Sequence, residues 1–89
     1  MLEEKLNLLL IEMADIEDGL EEGLEALRHI GKLSYELEQH IRLVMSDISQ
    51  WIDECTLAVE SSPILLRRMQ VHLGKLGRLL IFIEELQQN

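Results

Sequence analysis

Residues 6–58 read LNLLLIEMADIEDGLEEGLEALRHIGKLSYELEQHIRLVMSDISQWIDECTLA. Within this stretch Leu6, Leu9, Met13, Ile16, Leu20, Gly23, Leu27, Ile30, Ser34, Leu37, Ile41, Val44, Ile48, Trp51, Cys55 and Ala58 follow one another in strict steps of three and four. Such alternation is the apolar seam of a helix packed on helices, and only Gly23 and Ser34 interrupt it. No window alternates in twos as a half-buried strand would, so the predicted class is all-α.

Outward from this seam, the chain divides at two points. Gly31 is suited to the left-handed residue that ends a helix, with Arg28 and His29 placed at the negative pole of the dipole. Ser61-Ser62-Pro63 stops the next segment, because the proline pushes Ser62 to an extended conformation and itself fits the first position of a new helix. The predicted helices cover residues 2–29, 34–60 and 63–87, with Ser34 as an N-cap and Glu36 and Glu38 in the first turn of the second. The third resumes the alternation through Leu66, Met69, Leu73, Leu76, Leu80 and Ile83. Three segments of about 28, 27 and 25 residues, roughly 40 Å each, suit an antiparallel three-helix bundle forming one domain over residues 1–89. The alternative is one long helix through residue 31 with a shorter helix folded back and a second chain completing the bundle, because the seam keeps its phase there.

Composition agrees with a bundle. Hydrophobic residues make up 47% of the 89, yet only Tyr35, Trp51 and Phe82 are aromatic, so the core is expected to be Leu, Ile, Val and Met. A domain of this size buries only about two-thirds of its unfolded surface, which makes added stabilisation by oligomerisation attractive. The single cysteine cannot form an intrachain disulfide, and no basic segment followed by an apolar one opens the sequence, so a reducing, cytoplasmic setting is expected. The apolar runs 8–11 and 79–83 fall far short of the ~20 residues a bilayer crossing requires.

Seventeen acidic against eight basic residues give a net charge of −9, which disfavours direct nucleic acid binding and favours a basic protein partner. The charges are not evenly spread. Glu12, Asp15, Glu17, Asp18, Glu21, Glu22 and Glu25 form an acidic face on the first segment, whereas Arg67, Arg68, Lys75 and Arg78 make the third segment basic. Glycines divide likewise: Gly19 and Gly23 weaken the first helix by roughly 1 kcal/mol each, and Gly74 and Gly77 either let a neighbouring helix come close or are tolerated without consequence.

Enzymatic signatures are missing from the sequence. His29 and His40 follow Glu25 and Glu36 by four residues, whereas di-iron bundles use Glu-x-x-His at a spacing of three, so no metal or cofactor is expected. Cys55 falls on the seam near Trp51 and is expected to be a buried, unreactive thiol. No phosphate loop, Gly-x-Ser-x-Gly, His-Glu-x-x-His or Cys-x-x-Cys occurs. The chain resembles the helical chorismate mutases in size and helicity, but those enzymes hold a dicarboxylate with several convergent cations. Here Arg28, Lys32 and Arg42 are the only cations in the middle of the chain, so no catalytic residue is assigned.

The function expected from the sequence is therefore non-enzymatic: an adaptor, small helical chaperone or inhibitor that offers an apolar helical surface rimmed by acid to a protein partner such as a basic amphipathic helix. The alternative is an acidic mimic of nucleic acid, and a small bundle enzyme ranks behind both. The expected surface comprises Leu9, Leu10, Glu12, Asp15, Asp18, Glu22, Leu79, Ile81 and Phe82, because 8–11 and 79–83 are apolar all round the helix and lie at opposite ends of an up-down-up bundle. A homodimer or larger homo-oligomer held through these stretches is expected.

Overall fold

Gly31, at φ +75°, turns the chain back on itself. The Lys32 amide donates to the Leu27 carbonyl at 2.9 Å and the Gly31 amide to the Arg28 carbonyl at 3.2 Å, the paired bonds of a Schellman C-cap. Three residues on, the Ser34 hydroxyl accepts a hydrogen bond from the Leu37 amide at 3.1 Å and so caps the next helix. The long-helix alternative is thereby overturned: the seam keeps its phase across 30–34, but a left-handed residue cannot continue a right-handed helix.

In the computed structural model, which describes residues 2–57 and 63–88, the chain forms an all-α three-helix bundle of α1 (Leu2–His29), α2 (Tyr35–Leu57) and α3 (Pro63–Gln88). Ala58, Glu60, Ser61 and Ser62, which entered the reading of the seam, of the second helix's end and of the second break, lie outside the described residues. The bundle is long and thin, 45 × 19 × 16 Å. Arg28 pairs with Glu38 at 3.0 Å and Ser49 donates to Glu17 at 3.2 Å, so α1 and α2 are antiparallel. Gly19 meets Leu80 and Gly23 meets Ile83, so α3 runs parallel to α1. Lys32 Nζ donates to the Leu86 carbonyl at 3.1 Å, placing a cation at the negative end of α3.

The core is a heptad lattice. Met13, Leu20 and Leu27 from α1, Ile41 and Ile48 from α2, and Met69, Leu76 and Ile83 from α3 are buried columns spaced seven apart. All three aromatic residues lie outside the buried set. At the turn the seam leaves the core. Ile30 is 46% exposed and Ser34 is exposed, because both belong to the turn; beside Gly23, which has no side chain to offer, Leu24 enters the core. A straight helix at 3.6 residues per turn drifts about 20° per heptad from a strict 3.5 repeat, which brings such neighbours inward.

The close approach of helices falls on the glycines of α1, and of the two readings of Gly74 and Gly77 the tolerated one holds. A Cβ at Gly23 would stand 2.7 Å from Ile83 Cγ2 and one at Gly19 would stand 3.3 Å from Leu80 Cδ1, whereas nothing lies within 4 Å at Gly74 or Gly77. The glycines of α1, not those of α3, let α1 and α3 pack closely. The backbones of α2 and α3 stay farther apart than either other pair.

Candidate interaction surface

Because α1 and α3 approach closely while α2 and α3 do not, a groove of about 420 Å³ opens between the last two helices. Val44, Trp51, Leu76 and Leu79 give it apolar walls, and His40, Asp47, His72 and Lys75 complete the lining. The residues come from heptad flanks: Val44 and Trp51 are seven apart on α2, and His72 and Leu79 are seven apart on α3. Trp51 was expected to be largely buried and is only partly so. Three positions beyond buried Ile48, it lies on the flank of α2, where its indole covers His72 instead of entering the core. Leu43, 62% exposed, adjoins Val44, and Phe82, 48% exposed, stands one turn beyond Leu79.

Desolvation against the indole pushes His72 below the usual histidine range, and Lys75 and Arg68 add to the shift while Glu54 and Asp47 oppose it. The imidazole is thus held neutral between two cations of α3 and two carboxylates of α2. Cys55 is partly buried; desolvation, then the charge of Glu54, raises its pKa, so it stays a thiol at neutral pH. His40 lines the groove and His29 is exposed on α1. Among the described residues no three His, Cys, Asp or Glu side chains are grouped to hold a metal.

The surface residues expected from sequence separate into distinct places. Leu9 is core at 9% exposure and Leu10 is half-buried, so the exposed apolar side chains of that stretch are Leu8 and Ile11. Leu79 is half-buried in the groove wall, while Ile81 and Phe82 are exposed on different sides of α3. Glu12, Asp15, Asp18 and Glu22 are all exposed; Asp18 and Glu22 join Glu21 and Glu25 around a shallow acidic depression on α1. The parallel course of α1 and α3 keeps the 8–11 and 79–83 stretches at opposite ends. The heptad pattern gives no reason to single out His72, although the recurrence of flank residues at 44/51 and 72/79 is visible in the sequence.

No described helix is long and apolar enough to cross a membrane. Comparison with known protein families, with curated proteins and with solved structures finds no match.

Proposed function

We propose that this protein is a non-enzymatic protein-interaction module whose binding face is the α2–α3 groove with its exposed flanks. The observation that carries this reading is the coincidence, along one seam, of an apolar trough, two of the three aromatic side chains and two exposed large apolar residues, Leu43 and Phe82. Binding cores concentrate aromatic residues inside a polar rim, and here Asp47, Lys75, His40 and His72 supply the rim. The natural occupant of a trough between two helices is further helix laid along it, which reads out anchors at i, i+3, i+4 and i+7.

Catalysis in a bundle needs polar groups converging inside, whereas among the described residues the buried set is wholly apolar. The acidic patch of α1 supports the lesser reading, a mimic of nucleic acid, through charge alone.

A photo-crosslinking amino acid placed at position 43 or 82, and separately at position 22 on the acidic face, tests the assignment in cells that produce the protein. Protein adducts at 43 and 82 are expected. Adducts at 22 with none at 43 or 82 would move the binding face to α1.

A further inference from the structure

We propose that the occupant of the α2–α3 groove is the α2–α3 face of a second copy of this chain, related by a two-fold axis parallel to the helices. This rests on the reading of the groove as the binding face and names its partner. Rotation about such an axis lays α2 on the partner's α3 and α3 on the partner's α2. The four helices then close a bundle in which neighbours are antiparallel and axial levels are preserved.

Charge decides between this arrangement and its competitors. α2 carries Glu36, Glu38, Asp47, Asp53 and Glu54 against Arg42, while α3 carries Arg67, Arg68, Lys75 and Arg78, with Glu84 and Glu85 only near its end. Asp47 and Lys75 line the groove, and Glu54 and Arg68 stand one heptad from them along α2 and α3, beyond the stacked pair. Among the described residues none of the four is engaged in an ion pair. The two-fold places Asp47 and Glu54 against the partner's Lys75 and the partner's Arg68, and the reverse pairs follow by symmetry.

A two-fold perpendicular to the helices would instead set α2 on α2, acid against acid. An unrelated basic helix would suit α2 and be repelled by α3; a second copy offers both signs in register. The acidic face of α1 lies away from the groove, which keeps much of the net charge of −9 out of the contact. Surface area points the same way: 6148 Å² is accessible, against about 5,400 Å² for a typical monomer of 10.3 kDa.

The test exchanges charges between chains. One variant carries Asp47→Lys with Glu54→Lys, the other Arg68→Glu with Lys75→Glu, and sedimentation equilibrium gives the masses. The wild type is expected at twice the 10.3 kDa chain mass, each variant alone at one chain, and their equimolar mixture at two chains. Within each variant the swapped residues put like charges across the groove, so recovery on mixing can come only from contact between chains. Far-UV circular dichroism checks folding; should a double variant lose helicity, Asp47→Lys and Lys75→Glu alone carry the same comparison. A one-chain mass for the wild type at high concentration, or a mixture that gains no mass, overturns the second copy as occupant. If adducts to a different protein still form at 43 and 82, the groove reading survives that result; if none form, both fall.

Discussion

The indole of Trp51 lies flat on the imidazole of His72, ring centroids 3.8 Å apart and planes inclined by 4°. This stack bridges α2 and α3, the helix pair whose backbones approach least, so it closes one end of a groove instead of filling a core. It also makes the bridge sensitive to protons. The folded-state pKa of His72 is depressed below its unfolded value of about 6.5. The unfolded chain therefore binds the proton first, and the stability associated with His72 is present above the unfolded pKa and is lost as pH falls toward the folded one.

The wild type should accordingly lose thermal stability between pH 7.5 and the folded-state pKa of His72 more steeply than a His72→Gln variant. Melting followed by circular dichroism measures both slopes. Equal slopes would remove His72 from the account.

A second prediction sets two glycines against each other. Gly23→Ala gains helix propensity but drives a methyl group to 2.7 Å from Ile83, a fully buried β-branched side chain, so a net loss of about 1–3 kcal/mol is expected. Gly74→Ala meets nothing within 4 Å and should stabilise by about 0.5–1 kcal/mol. Urea denaturation of the two variants checks the opposite signs, and a stabilising Gly23→Ala would mean that α1 and α3 are not so closely packed.

The contrast between these glycines also marks how far the sequence could be read. Heptad spacing suffices to find the core columns at 13/20/27, 41/48 and 69/76/83, and Gly31, Ser34 and Pro63 carry their own conformational or capping chemistry, so the class, the turn between α1 and α2 and the start of α3 are legible. Which glycine faces which helix depends on rotation of one helix about its axis relative to another, and a single chain's periodicity fixes that only to within a flank. For the same reason Trp51, a seam residue, emerges beside a groove, and Leu9, one of a uniformly apolar run, falls inside. The groove exists because two of the three helix pairs differ in separation, which no pattern within one helix records.

Burial should separate residues that hydropathy treats alike. Ile48, fully buried, should cost about 2–5 kcal/mol when changed to alanine, whereas Ile81, 55% exposed, should cost less than about 1 kcal/mol. Chemical denaturation of the two variants gives the comparison, and similar losses would contradict the assigned rotation of α2 or α3.

Cys55 should alkylate more slowly at pH 7.5 than a free thiol in an unfolded peptide, because desolvation and Glu54 both disfavour the thiolate. Its rate should rise on adding denaturant. A native rate matching the peptide's would place Cys55 in open solvent.

The central claim is that α2 and α3 together form the face on which two copies of this chain associate, and the mass of one double variant tests it most directly. Leu43→Asp with Phe82→Asp alters two exposed side chains on the outer flanks of the groove and leaves the buried columns intact. Sedimentation equilibrium should give a two-chain mass for the wild type and a single chain of 10.3 kDa for the variant, with helicity unchanged. A variant that keeps the two-chain mass, or a wild type that never exceeds one chain, would contradict the claim.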